Sequence, residues 1–220
     1  YLEQPYNSAL DFGTGDFSIM GWVNQDSSRT TSLVDRSAPA RTGVILDFRP
    51  NPSGALVLYT QADSSNISYI ISPTSALQFG VYTFVAAVRR AGSLELWANG
   101  TKLTPVASQA STTTRNVTDS EAALRVGLRS DGTIPFNGSL ALLRISVTAP
   151  SEAQIAKIYN DEKFLFQAGA ACTLYGTSDA VTALAHDPVT DLLHVGTSAG
   201  RSVFDGLRRV SNTTVAVGTA

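Results

Sequence analysis

A single cysteine, Cys172, and only two histidines, His186 and His194, leave the chain little with which to staple itself or to hold a transition metal. One thiol closes no internal disulfide and makes no thiolate zinc site by itself; a lone cysteine is ordinarily a small buried hydrophobe. No apolar run approaches the roughly 20 residues of a membrane-spanning helix, so no membrane insertion is expected. Charge is also scarce: 15% of the 220 residues are charged and the formal net charge is −2, which gives no electrostatic footprint for nucleic acid. There is no G-x-S-x-G elbow, no P-loop and no H-E-x-x-H. The chain begins at Tyr1 without the charged, apolar and small-residue pattern of a signal peptide, and so reads as a fragment or a processed product.

What is abundant points one way. Hydrophobic residues make up 43% of the chain, beside 17 Gly, 9 Pro and many Ser and Thr, the composition of a turn-rich all-β protein. The stretch from Phe79 to Lys102 is the most legible. Tyr82, Phe84, Ala86 and Val88 alternate with Thr83, Val85, Ala87 and Arg89, a period of two that is apolar on both sides, as in a strand inside a sheet. Ala91 and Gly92 allow a reversal. Leu94, Leu96 and Ala98 then alternate with Ser93, Glu95 and Trp97, and Asn99-Gly100 predicts a two-residue type I′ hairpin, because both central positions need positive φ.

Further strands are expected at Phe17–Val23, Ser32–Asp35, Gly43–Phe48, Ala55–Tyr59, Ser68–Ile71, Ala123–Leu128 and Ser139–Val147, a spacing that suits a β-sandwich. Tyr1–Asp11 reads as a polar lead-in anchored by Leu2, Tyr6 and Leu10, and Pro105–Ser120 as a mobile rim loop. Ser151 and Gln154 form a capping box, followed by Ile155, Ile158 and Tyr159 at helical spacing, with Gly169 as the C-terminal cap. Three short strands, near Val181–His186, Leu192–Thr197 and Arg201–Phe204, close the chain. The expected division is a sandwich over 1–150, a sealing helix over 151–169 and a β-meander over 170–220.

Three ordered blocks carry a family resemblance. Asp16–Val23, the stretch from Phe79 to Lys102, and Phe136–Ile145 followed by Ser151–Tyr159 resemble the opening strand, central hairpin and closing strand with terminal helix of laminin-G-like, concanavalin-A-like jelly-roll domains. The resemblance covers about the first three quarters of the chain and implies two stacked antiparallel sheets. The tail resembles part of one β-propeller blade. The order of the two is similar to that in bacteriophage virion and tail-fibre proteins, which implies a virion or extracellular setting, with other virion or structural proteins as partners. A sheet of about three short strands is marginal alone, so the tail is expected to lean on the sandwich, on missing residues or on another copy, as in a homo-oligomer such as a trimer.

The family also raises functions to weigh. Its glycoside hydrolases carry E-x-D-x-x-E on one strand, and nothing here matches: Asp161-Glu162 are helix neighbours that do not face each other, and Glu95 stands alone. No enzyme is expected; the chain reads first as a non-enzymatic adhesion or structural module whose tail mediates assembly, with a lectin-like glycan-binding domain as the alternative. Family members often hold calcium through loop oxygens. Of the loop acids Asp26, Asp35, Asp63, Asp119 and Asp131, Asp26 and Asp131 are the candidates, although none sits in a clustered motif and a solvated turn residue explains each. His186 and His194 could meet across a hairpin, but a third metal ligand is not evident. For a lectin-like module binding cell-surface glycan, Trp22 and Trp97 sit mid-strand and belong to the core, whereas Tyr59 and Tyr69 flank a loop and are the candidates for stacking on a sugar ring. Five N-x-S/T triplets, at Asn66, Asn99, Asn116, Asn137 and Asn212, would accept glycans only in a eukaryotic secretory route.

Overall fold

The computed structural model describes residues 1–26, 28–38, 45–167, 172–178 and 180–218. The chain divides into two compact units, Tyr1–Tyr159 and Asn160–Ala220.

The first unit is a jelly-roll sandwich. One sheet has seven strands: β1 (Leu2–Gln4), β3 (Val34–Ser37), β4 (Ile45–Pro50), β5 (Leu56–Asp63), β6 (Asn66–Ile71), β10 (Ala107–Gln109) and β11 (Leu124–Val126), in the order β1-β11-β3-β4-β5-β6-β10. The other has five: β2 (Phe17–Gln25), β7 (Thr83–Arg90), β8 (Ser93–Ala98), β9 (Thr101–Lys102) and β12 (Gly138–Ser146), in the order β12-β2-β7-β8-β9. Every pairing is antiparallel. The core forms where the inward parity of each strand meets: Phe17, Ile19 and Val23 of β2, and Val85 and Ala87 of β7, face Val34, Phe48, Leu58 and Ile70 of the other sheet. Each buried Phe or Ile there is worth about 1.5–3 kcal/mol relative to exposure.

Both reversals of the central meander are two-residue turns. Arg90 pairs with Ser93 across Ala91 (φ 47°) and Gly92 (φ 83°), and Ala98 pairs with Thr101 across Asn99 (φ 46°) and Gly100 (φ 75°). Trp22, Phe84 and Trp97 are buried as expected, but on the far side of the five-stranded sheet rather than in the sandwich interior. There they lie under the helix α1 (Glu152–Glu162), whose Tyr159 ring stacks on Trp22 at 5.8 Å while Ile155 is fully buried. The capping box is present: Ser151 N donates to Gln154 Oε1 (2.7 Å) and Gln154 N to Ser151 Oγ (3.2 Å). Gly100 lets Tyr159 come close, since a Cβ there would sit 2.9 Å from Tyr159 Cδ1. Gly100→Ala is expected to cost about 1–3 kcal/mol from the positive φ and this clash, read as a lower denaturation midpoint together with altered near-UV dichroism from Trp22.

Two loops that the sequence left bare carry structure. The lead-in contains β1; Leu2 and Tyr6 are exposed, Tyr6 donating its hydroxyl to Asp11 Oδ2 (2.8 Å), while Leu10, as expected, and Phe12 supply the packing. The Pro105–Ser120 segment, expected to be a mobile rim loop, holds β10, which pairs with β6, and the fully buried Val117. Two buried arginines fasten these loops. Arg89 has the inward parity of β7 and donates to the carbonyls of Gly15 and Arg115 (both 2.6 Å), Gly13 (2.8 Å) and Phe12 (3.3 Å), with its guanidinium over the Phe17 ring. Burial lowers its pKa to about 10, nearby Asp16 opposing, so it is charged at neutral pH. Arg36 donates to the carbonyls of Val117 and Asp119 and pairs with Asp11.

In the second unit a 3-10 turn, Lys163–Phe166, follows α1; the expected cap at Gly169 lies outside the described residues. The tail sheet has four strands rather than three: β13 (Val181–Asp187), β14 (Leu192–Thr197), β15 (Gly200–Asp205) and β16 (Arg208–Thr213), a simple antiparallel meander. β16 escaped sequence reading because Arg208, Arg209, Ser211 and Asn212 hide its only large apolar residue, Val210. Among the described residues no helix is long and apolar enough to cross a membrane.

Candidate functional site

The face of the seven-stranded sheet turned away from the core carries one continuous register row. Glu3 lies opposite Arg125, Arg125 opposite Asp35, Asp35 opposite Asp47, Asp47 opposite Tyr59, Tyr59 opposite Tyr69, and Tyr69 opposite Gln109. Each of these residues has the parity opposite to Val34, Phe48, Leu58 and Ile70, which fill the core. Directly opposed side chains are about 4.5–5.5 Å apart at Cβ, so the row is a chain of touching neighbours.

At its centre Tyr59 and Tyr69 lie ring beside ring, with centroids 6.0 Å apart and planes within 4° of parallel. Both are half-buried. The gap is too narrow for a sugar between them, which would need about 7 Å for contact on both its faces. A ligand would therefore lie over the pair. Sequence reasoning placed the two tyrosines beside a loop; they are mid-strand, and the tight turn at Asp63–Asn66 lies beyond them.

On the other side of the row lies a charged lattice. Arg49 Nη1 donates to Asp47 Oδ2 at 3.1 Å, and Ser37 Oγ to Asp35 Oδ1 at 2.5 Å. Ser37 Oγ also meets Ser130 Oγ at 2.7 Å, which draws the β11–β12 loop over the end of β3. Arg125 reaches Glu3 Oε2 (2.7 Å) and the Ser130 carbonyl (3.0 Å). In the same loop Arg129 grips Asp131 with Nε and Nη2, the shortest contact being 2.5 Å. That grip, with help from Thr133, holds the Asp131 carboxyl far below its usual range, and Asp131 raises the Arg129 pKa in turn, with Asp47 and Asp35 adding to it.

Asp35 and Asp47 are a pair that the sequence hid, because opposition across two strands cannot be read from their separate loops and neighbours. Two facing carboxylates are what glycoside hydrolysis uses. Here both are fully buried and engaged, Asp47 with Arg49 and Asp35 with Ser37, so no scissile bond reaches them. They serve instead as acceptors that hold the surrounding guanidinium and hydroxyl groups in place.

The two calcium candidates lie in different surroundings. Asp26 is bound through its backbone N–H to the Asn137 carbonyl (3.1 Å), and both Asp131 oxygens are taken by Arg129 and Thr133. Among the described residues no group of three or more His, Cys, Asp or Glu could hold a metal ion. The histidines do not meet either: His194 lies opposite Ala185 and His186 opposite Leu193, so they occupy opposite faces of the tail sheet, and His186 Nε2 sits 2.9 Å from Asp191 instead.

A family model described as the concanavalin A-like lectin/glucanases superfamily matches residues 4–156. Among curated proteins, none matches the chain. Solved structures similar to it include the CBM40 module of Ruminococcus gnavus IT-sialidase bound to α2,3-sialyllactose, at 15% identity and a TM-score of 0.57, over 72% of this chain and 94% of that one. Domain 4 of AbnA, a GH43 extracellular arabinanase from Geobacillus stearothermophilus, in complex with arabinotriose, aligns at 18% identity and a TM-score of 0.53 over 71% of each chain. Leech intramolecular trans-sialidase aligns at 15% identity and a TM-score of 0.56, over 97% of this chain and 37% of that one. At these identities the likeness establishes the fold.

Proposed function

Because the chain belongs to the concanavalin A-like lectin/glucanase superfamily, we propose that it is a non-catalytic carbohydrate-binding module whose ligand lies across the outer row of the seven-stranded sheet. The observation that carries this reading is the parallel Tyr59–Tyr69 pair set in one line with Asp47, Asp35 and Arg125. Aromatic surface takes the apolar face of a sugar, and the accessible polar groups beside it, Gln109 opposite Tyr69 and Arg49 held by the buried Asp47, take its hydroxyls. Two of the similar structures are binding modules holding sialyllactose and arabinotriose, which supports the ligand class. The charge of this face favours the neutral kind. Among its described residues, Glu3, Asp35, Asp47 and Asp131 outnumber Arg49, Arg125 and Arg129, and each of these arginines is already paired with an acid. In the virion or extracellular setting that the sequence resemblance implies, such binding is adhesion to cell-surface glycan.

A glycan array carrying neutral and sialylated chains tests this. Binding is expected among the neutral chains, and Tyr59→Ala and Tyr69→Ala are each expected to weaken it roughly tenfold, the loss of about 1.4 kcal/mol of stacking. An array that stays blank, or variants that bind like the parent, would sink the reading. Cleavage of the bound sugar would overturn its non-catalytic part.

A further inference from the structure

The tail sheet has two free edges of unlike character. β13 reads Val-Thr-Ala-Leu-Ala-His-Asp, without a Lys, Arg or Pro, and its Leu184 and Val181 are 67% and 54% exposed. Natural edge strands are commonly guarded by charge, proline or cover, and a bare apolar edge is a template for pairing. At the end of this edge the β13–β14 turn carries two carboxylates, Asp187 and the exposed Asp191. The other edge, β16, begins with Arg208, which is exposed and lies opposite Asp205 of β15, and whose guanidinium makes no ion pair within 4.0 Å among the described residues.

We propose that these two edges join between copies of the chain, β16 of one copy beside β13 of the next, so that the tail sheet continues from protomer to protomer. Two features select a second copy as the occupant. First, a meander with an even number of strands ends on a strand antiparallel to its first, so a copy set alongside in the same orientation offers β13 antiparallel to β16 and extends the ladder unbroken. Second, in that arrangement the β13–β14 turn of one copy and the start of β16 of the other lie at the same end of the sheet, which brings Asp187 and Asp191 toward Arg208. Pairing of β13 with β13 would bring no acid of the second copy to Arg208 and would place the two carboxylate ends apart. The joint is head-to-tail, and such contacts close into rings when the rotation between neighbours permits; a trimer is one such ring. The inference stands apart from the ligand reading, since it uses none of the sandwich's residues.

Sedimentation velocity on the full chain tests it, with Leu184→Lys to block one edge and Val210→Lys to block the other. The parent is expected to be a ring or a longer head-to-tail assembly, and each variant a monomer. The two variants mixed are expected to give a one-to-one heterodimer, because each retains the edge the other has lost. Ala185→Lys repeats the first block should Leu184→Lys fail to fold. A parent that stays monomeric at its highest soluble concentration overturns the proposal, as do variants that assemble like the parent. So does a mixture of monomeric variants that forms no heterodimer; a Val210→Lys variant that still dimerises would likewise overturn it, by marking β13 self-pairing.

Discussion

Arg89→Met is expected to lower the unfolding free energy of the sandwich by about 3–5 kcal/mol and its melting temperature by on the order of 10 °C. The substitution keeps much of the side chain's apolar length and removes the guanidinium that serves the carbonyls of Phe12, Gly13, Gly15 and Arg115. Those oxygens belong to two loops far apart in sequence, and inside the protein each loses its hydrogen bond with little access to water in exchange. Arg89→Lys is expected to recover only a minority of the loss, since one ammonium cannot span four acceptors in a fixed fork. Both tryptophans of the chain lie in the sandwich unit, so their fluorescence during chemical denaturation follows that unit alone. A midpoint change equivalent to less than about 1 kcal/mol would show that the loops hold without the arginine.

The second large effect belongs to Glu95. It is almost fully buried under α1 and accepts hydrogen bonds from Lys102 (2.7 Å), from Arg90 Nε and Nη2 and from Trp97 Nε1 (3.3 Å each). Arg90 also reaches the Pro150 carbonyl, and Lys102 reaches Glu152, so the carboxylate ties three strands to the start of the helix. Burial pushes the Glu95 pKa up, but the hydrogen bonds from Lys102 and Arg90 more than cancel this and leave it below the ordinary value. Glu95→Ala is expected to cost about 2–3 kcal/mol at neutral pH, less than a buried pair would because Arg90 and Lys102 can still reach water. The pH dependence has a definite sign. A carboxyl with a depressed folded pKa contributes stability above the unfolded value, about 4.3, and loses it as pH falls through the lower folded value. The parent should therefore weaken on acidification through that window more steeply than Glu95→Ala, and the two denaturation curves should converge. Parallel curves would assign the acid sensitivity to other carboxyls.

Local chemistry made much of the fold legible. Asn99-Gly100 announces its turn because few residue pairs tolerate two positive φ values, and Ser151 with Gln154 announces a helix start because a hydroxyl and an amide at that spacing satisfy each other's backbone groups. Alternation in Thr83–Arg90 even placed Arg89 on the same face as Val85 and Ala87. What it could not show is where the carbonyls that Arg89 serves come from, since they arrive on loops whose path depends on the closed sandwich. The same limit hid the site. Tyr59 and Tyr69 were readable as residues of the right kind, but their alignment with Asp47, Asp35 and Arg125 depends on strand order in the sheet. That order brings β11 between β1 and β3, a neighbour relation that no stretch of sequence contains. Short strands such as β1, β10 and β11 have too few residues to show a period and owe their existence to the partners they lean on.

The register row also sets the shape of what can follow it. Neighbouring strands in a sheet are rotated by roughly 20–25° with a constant hand, so from the first to the last of the seven strands the direction in which the row faces swings through on the order of 120°. A stiff, straight polymer laid on the tyrosines would leave the surface within a few units on either side. A polymer that winds with matching handedness could stay on the exposed part of the row, from Gln109 across the two tyrosines to the edge of the buried carboxylates, so chain curvature, beyond the identity of any one sugar, becomes a quality this surface can select.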